Sequence, residues 1–434
     1  MEQFQLNSNP VVAREDAGVV KKEFVKIYPT SNRTGTAFTS NVDFEFENSG
    51  KQYFCPAQSY IQLRLQFYGQ TGSGTYVLLN DASGIFLTWN AGAAFWATYS
   101  HQLNNTVVDR ADQFTSQDNC AKRLLDSVVI RDTYGTVSCL ETNRVTRLYN
   151  SGFDGSGYSF GNGVGAGTND IIYRPSLGLF ATTDLIPPSA RHLISFQVDT
   201  NWQRKIIEST VQNYTPNSNN SYYVQVQDII FYAAMLSADM PPANGPHFIN
   251  FGASECQFQA VTSTTNNLFF NVKPSSNKLT TFIQSSLVGS NTLNPAGYMD
   301  ASGGFSSTMT LFPRIQFGSV VLPQPDINLY NTNIGTTTGD WSYWKDAYYQ
   351  TIQANGWSTD ELGPESFPTW LMLGPLFSNK FDRDPSDQST TVMVYCTFST
   401  TPTNVNLWLF SQYERSLCLQ YSNGRCVNVT VEDI

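Results

Sequence analysis

The sequence is poor in charge, in histidine and in paired cysteine, and each shortage closes a class of function. Lys, Arg, Asp and Glu together make up 14% of the 434 residues, against ~25% in an average soluble domain. With 25 basic and 35 acidic side chains the net charge is −10, and no basic run exceeds Lys21-Lys22. Nucleic-acid binding leans on a basic patch that neutralises phosphates, so direct contact with nucleic acid is not expected. Only three His occur, His101, His192 and His247, and none sits in an H-x-x-x-H or H-E-x-x-H spacing. Each reads as a loop or interface residue rather than a metal ligand. Seven cysteines (Cys55, Cys120, Cys139, Cys256, Cys396, Cys418, Cys426) are scattered, odd in number and never spaced as C-x-x-C. That pattern offers neither a zinc site nor a disulfide framework, and buried thiols are expected.

Other absences narrow the field further. No stretch of eighteen apolar residues exists, so no membrane-spanning helix is expected. The start, MEQFQLNSNP, lacks the basic end and apolar centre of a signal peptide. Without a secretory route, the sequons at Asn32, Asn104, Asn213, Asn219 and Asn428 read as Asn-rich loops. Neither G-x-S-x-G nor G-x-x-x-x-G-K-[ST] occurs. GNGVGA (Gly161–Ala166) copies a dinucleotide fingerprint, but no buried strand precedes it and no apolar helix follows. It reads as part of a Gly-rich loop over 151–170.

What is present is β-strand. Aromatics reach 14%, with 22 Tyr and 29 Phe, a composition that suits pleated surfaces. VDFEFEN alternates Val42, Phe44 and Phe46 with Asp43, Glu45 and Glu47. SYIQLRLQFYG alternates Ile61, Leu63, Leu65 and Phe67 with Gln62, Arg64 and Gln66. Such period-two alternation marks half-buried strands. AAFWATYSHQL, HLISFQVDTNW and YYVQVQDIIFYAAML continue the series, with SQDNCAKRLLDSVV as a short helix capped at Ser116 or Asp118. MPPANGPHF (240–248) then interrupts the chain with three Pro and one Gly, the strongest domain boundary in the sequence.

Beyond it the style repeats, in ECQFQAV, NLFFNVK, KLTTFIQSSLV, MTLFPRIQFGSVVL, TVMVYCTF and VNLWLF. The last of these (405–410) carries bulk on both faces, which predicts cover from beyond a single small barrel. One longer helix is expected over 341–357, with Asp340 as N-cap and Trp341, Trp344, Tyr348 and Ile352 as a packing stripe. The chain therefore divides into an arm, 1–22, and two halves, 23–240 and 247–434. Each half has about eight strand candidates, the count of a jelly roll. The expected fold is all-β: two tandem eight-stranded antiparallel jelly-roll barrels with long loops and a few short helices.

Candidate chemistry is sparse. FDRDPSDQ (381–388) offers Asp382, Asp384 and Asp387 as oxygen ligands for Ca²⁺, but lacks a Gly at the turn and a bidentate Glu downstream. Glycosidases run on two carboxylates, so a pair drawn from Asp43, Glu45, Asp382, Asp384 and Asp387 is the hydrolase reading. Asp43, Glu45 and Glu47 share one strand face and read more simply as solvated. Trp341, Trp344 and Trp357 could serve as stacking platforms for sugars, which makes a two-domain lectin-like β-sandwich the alternative function. No catalytic residue and no cofactor is expected.

The order of segments carries a resemblance. NLFFNVKPSSNKLTTFIQSSLV, TLNPAGYMD with Asn294-Pro295, then LFPRIQFGSVVLPQPDINLYN with Gly318 through Pro323 and Tyr330, resemble the second barrel of double-jelly-roll major capsid proteins of DNA viruses. The style is closest to the virophage, polinton-like, adintovirus and adomavirus hexon-like proteins. SYIQLRLQFYG, GAAFWATYSHQLNNTVVDR, LIPPSARHLISFQVDTNW and YYVQVQDIIFYAAML are similar to the first barrel. The resemblance implies a homotrimer in which two upright barrels per subunit make a pseudo-hexameric capsomer of an icosahedral shell. It also implies minor capsid and penton proteins as partners, with loops 151–170 and 324–370 outermost and the arm 1–22 at the base, near minor proteins or an inner membrane. The place it implies is the virion, after synthesis in the host cytoplasm and assembly in nucleus or cytoplasm.

Overall fold

The computed structural model describes residues 19–30, 41–48, 50–70, 76–78, 85–87, 90–123, 168–209, 222–238, 243–285, 309–322, 353–354, 376–381, 389–401 and 405–434. The first strands in chain order are β1 (Val19–Ile27), β2 (Asn41–Glu47), β3 (Gln52–Gln70), β4 (Tyr76–Leu78) and β5 (Ile85–Leu87). They are followed by β6 (Trp96–Leu103), β7 (Thr106–Ala111), the helix α1 (Phe114–Arg123) and β8 (Thr168–Tyr173). Then come β9 (Arg191–Val198), the one-turn helix α2 (Trp202–Lys205), β10 (Ile207–Ser209) and β11 (Tyr222–Ala238). The second series is β12 (Gly245–Ala260), β13 (Thr265–Asn271), β14 (Lys278–Ser285), β15 (Met309–Phe317) and β16 (Val320–Leu322). It ends with β17 (Leu376–Lys380), β18 (Thr391–Phe398), β19 (Val405–Ser422) and β20 (Arg425–Asp433).

Alternation explains why these segments are strands. Val42, Phe44 and Phe46 of β2 point inward, while Asn41, Glu45 and Glu47 lie exposed. Ile61, Leu63 and Leu65 of β3 are fully buried, and so are Val392, Val394 and Cys396 of β18. A strand with one apolar face gains only by laying that face on another sheet. In the first series β1, β11 and β3 pair in that order, and the far side of β3 carries β8 and then β4. The second sheet runs β2-β9-β6-β7, again antiparallel. Phe44 and Phe46 of one sheet meet Phe54 and Phe231 of the other at ring distances of 5.1 to 5.9 Å.

Setting aside the short β4, β5 and β10, the eight main strands of the first series occupy orders 1-8-3-6 and 2-7-4-5. The second series repeats this order. Its sheets are β12-β19-β14-β17 and β13-β18-β15-β16. Two four-stranded sheets with these crossings are a jelly roll, so the chain is a tandem of two.

Tight turns follow their residues. Asn104 and Asn105 between β6 and β7 have φ of 47° and 68°; Asn423 and Gly424 between β19 and β20 have 49° and 77°. Two successive positive φ values are what a type I′ hairpin loop needs, and Asn and Gly tolerate them best. The helix α1 is present, but it starts at Phe114, ahead of the expected cap at Ser116 or Asp118. Asp118 lies inside the helix and uses its carboxylate elsewhere.

By contacts the chain forms two compact units. The first holds Met1–Lys122, Val129–Ala253 and Glu414–Ile434; the second holds Arg123–Val128 and Ser254–Tyr413. The C-terminal hairpin of β20 and the end of β19 thus belongs with the first unit. Arg415 donates to the Val108 carbonyl at 3.4 Å, Asn104 Nδ2 to the Cys426 carbonyl at 3.1 Å, and the Tyr421 hydroxyl to the Pro187 carbonyl at 3.2 Å. In the second unit Trp408 stacks between Phe258 and Phe282, at 4.7 and 5.8 Å, and is only 5% exposed. The Trp408 face of 405–410 is therefore covered within that unit.

Candidate functional site

Several sequence candidates are placed plainly. Asp43, Glu45 and Glu47 lie on the outer face of β2, where Glu45 pairs with Arg191 of β9 across the strand register. Neighbouring carboxylates on an open sheet face, one of them neutralised by Arg, form no cleft for a two-carboxylate hydrolase. Asp382, Asp384 and Asp387 lie outside the described residues, as do Trp341, Trp344, Trp357, Cys139, Asn294-Pro295, Tyr330 and the arm before Val19. Among the described residues no group of three His, Cys, Asp or Glu could hold a metal ion. None of the six described cysteines is in a disulfide; Cys55, Cys120, Cys256 and Cys396 are buried. Among the described residues no helix is long and apolar enough to cross a membrane.

Two histidines depart from expectation. His247 is exposed on β12, but His101 and His192 are fully buried in the first barrel rather than in loops or at an edge. They sit on adjacent strands β6 and β9, and His101 Nε2 lies 3.1 Å from His192 Nδ1. His192 stacks flat on Phe46, at 4.6 Å and 3°, and meets Phe54 edge-on at 4.8 Å. Burial holds His101 down to about 3; burial, with the neighbouring His101, holds His192 well below its ordinary value. Both rings are neutral, one nitrogen donating to the other. The pair is core architecture.

Asp109 of β7 is the second buried ioniser. Its carboxylate accepts the Leu179 N–H at 3.2 Å and the Arg110 N–H at 3.0 Å. Burial raises its affinity for a proton, opposed by those N–H groups and by the Arg415 guanidinium. The 178–181 turn comes so close that a Cβ on Gly178 would lie 1.7 Å from Asp109 Oδ2, and Gly178 has φ of 51°. Gly178→Ala therefore meets both steric and backbone strain. The expected cost is about 3 kcal/mol, read as a lowered denaturant midpoint with unchanged slope.

A third cluster joins α1 to the turn before β6. Lys122 and Asp118 form an ion pair of 2.6 Å with both side chains fully buried. Asn90 completes it, accepting from Lys122 at 3.2 Å and donating to Asp118 at 2.9 Å and to Asn119 at 2.6 Å. The Ser176 N–H binds the other Asp118 oxygen at 2.8 Å, and the Tyr173 ring lies 4.4 Å from the ammonium. Desolvation makes a buried pair costly unless all its bonds are made, and here the donors and acceptors converge. In sequence only the i,i+4 spacing of Asp118 and Lys122 hinted at this cluster.

The outer faces also carry aromatic side chains. On the first barrel Phe24 packs on Tyr60 at 5.6 Å and Tyr60 stacks on Tyr232 at 4.7 Å, flanked by Lys22 and Lys26. Phe24 is 45% exposed. On the second barrel Phe248, Phe258 and Phe269 are exposed. Phe269 and Met393, with Gln316, Gly318 and Ser389–Thr391, line an open depression of about 460 Å³. Among the described residues β1, β12 and β13, which carry these aromatics, lie at the ends of their sheets.

A polypeptide with two jelly rolls of one strand order is a double-jelly-roll protein. Solved structures with this fold include a chain of the Sputnik virophage, with a TM-score of 0.56 and 11% identity over 96% of this chain and 89% of that one. The mavirus major capsid protein matches with a TM-score of 0.55 and 10% identity, covering 95% of this chain and 90% of its own. The Faustovirus major capsid protein gives 0.54 and 10%, covering 93% and 91%. No protein-family model matches the sequence, and no curated protein matches it.

Proposed function

We propose that this chain is the major structural protein of a viral capsid, a shell-building subunit without catalytic activity. The observation that carries the reading is the doubled strand order, because two like barrels per chain let three chains present six like lobes. Such a homotrimer is a pseudo-hexameric block, the unit that tiles the flat parts of an icosahedral shell. The likeness to capsid proteins along almost the whole chain supports the same reading. The low charge and the exposed Phe24, Phe248, Phe258 and Phe269 suit a surface destined for burial between copies. In this reading the barrels are the halves 23–240 and 247–434, with the hairpin 414–434 grouped with the first; neighbouring capsomers and minor and penton proteins are the partners, and the N-terminal arm faces the shell interior or a membrane there.

Light scattering on the purified chain is expected to give a mass three times the 48.3 kDa subunit. Negative-stain images should show a hexagonal outline about a three-fold axis. A strict monomer at micromolar concentration, with no such outline, would defeat the reading.

A further inference from the structure

The Asn90–Asp118–Lys122 cluster places a nucleophile, a carboxamide and an acid–base group together in a dry pocket. We propose that Lys122 and Asn90 become joined by an intramolecular isopeptide bond, formed by the chain itself with loss of ammonia, and that Asp118 is the catalytic residue.

The geometry brings the three reacting groups into one hydrogen-bonded cluster. Lys122 Nζ lies 3.2 Å from Asn90 Oδ1, so the amine rests against the carboxamide it must attack. The atom to be attacked, Asn90 Cγ, is bonded to that oxygen, so a small rotation of either side chain brings nucleophile and carbon together. One oxygen, Asp118 Oδ2, touches both the nucleophile, at 2.6 Å, and the departing Nδ2, at 2.9 Å. The other Asp118 oxygen is fixed by the Ser176 N–H, and the Asn90 amide is held from behind by Asn119 Oδ1. Asn90, Asp118 and Lys122 are fully buried and Asn119 is 2% exposed, which keeps water from competing with the amine. Burial depresses the Lys122 pKa, with Arg174 acting in the same sense and Asp118 against it, so the free amine is more accessible than on a surface lysine.

The step balances without any co-reactant. Asp118 takes a proton from the Lys122 ammonium, leaving a neutral amine and a carboxylic acid. The amine attacks Asn90 Cγ, forming the new C–N bond and a tetrahedral centre. Asp118 gives its proton to Nδ2 and takes one from the attacking nitrogen. The Cγ–Nδ2 bond breaks, the carbonyl re-forms, and ammonia departs to carry off the remaining proton as ammonium. The product is a secondary amide tying the turn before β6 to α1.

Mass spectrometry of the intact, folded chain tests this directly. The expected mass is lower than that of the sequence by one ammonia, about 17 Da. Trypsin should then yield a branched peptide joining segment 65–110 to segment 111–123, uncut after Lys122. Lys122→Met and Asp118→Asn should show the full mass and separate peptides. Asn90→Asp should lose water instead, about 18 Da. Near-UV circular dichroism reports folding independently of mass, so the wild type alone is decisive. A folded wild-type chain of full mass, or one that has lost ammonia while its two peptides run separately, overturns the proposal and leaves a plain buried ion pair.

Discussion

Lowering the pH from about 7.5 to about 5 is expected to remove about 4 kcal/mol from the stability of the first barrel, through His101 and His192. In the unfolded chain each imidazole takes up a proton near its ordinary value. In the fold both values are depressed, His101 to about 3. Between those limits the unfolded state binds more protons, so stability falls as pH falls below ~6.5, by about 2.7 kcal/mol per pH unit for two sites. The pair cannot charge cheaply in place. Its link needs one donor and one acceptor nitrogen 3.1 Å apart, and two cations there would face each other among Phe46, Phe54 and Phe180. Asp109, the register partner of His101 on β7, works in the opposite sense because its folded affinity for a proton is raised. It is one group against two. Urea midpoints across this range should therefore drop steeply for the wild type and much less for a His101→Leu/His192→Leu double variant. Equal slopes in the two proteins would refute the assignment.

The sequence made the strands visible but not their partners. Alternation located β2, β3, β9, β13 and β18 because each has one buried and one outward face, and half-burial is what period two records. The doubled barrel followed from counting such segments on both sides of 240–248. Register lies beyond that signal. β1 pairs with β11 across some two hundred residues of chain, and nothing local in VVKKEFVKI names its partner. The histidine pair is hidden for the same reason: ninety residues separate His101 from His192, and only the β6–β9 ladder brings the rings together. Asp118 and Lys122 stand one helical turn apart in sequence, yet Asn90 reaches them only through a turn with φ of 55°. The two-faced strand at 405–410 was legible as an anomaly. Cover for its Trp408 face came from Phe258 and Phe282 on β12 and β14.

Removing Glu414–Ile434 is expected to abolish folding of the first barrel, although the segment is the chain's last and follows the second barrel's strands. The hairpin is part of the first unit. Leu417 and Leu419 are fully buried, Tyr421 is 2% exposed and Val429 is 6% exposed. Burying such side chains contributes about 1.5–3 kcal/mol each, so four account for on the order of 6–12 kcal/mol. A domain's whole stability is about 5–15 kcal/mol. The cut would also strand the acceptors of three hydrogen bonds, at Val108, Pro187 and Ala243, which the hairpin's Arg415, Tyr421 and Gly424 now satisfy. A chain ending at Tyr413 should be insoluble or rapidly proteolysed within 19–253. Deleting Ile434 alone, 58% exposed and held by one backbone bond to Glu414, should leave the melting temperature almost unchanged. If the long truncation melts like the full chain, the hairpin is only an appendage. If it fails as expected, these 21 residues are an integral part of the first unit rather than a free tail.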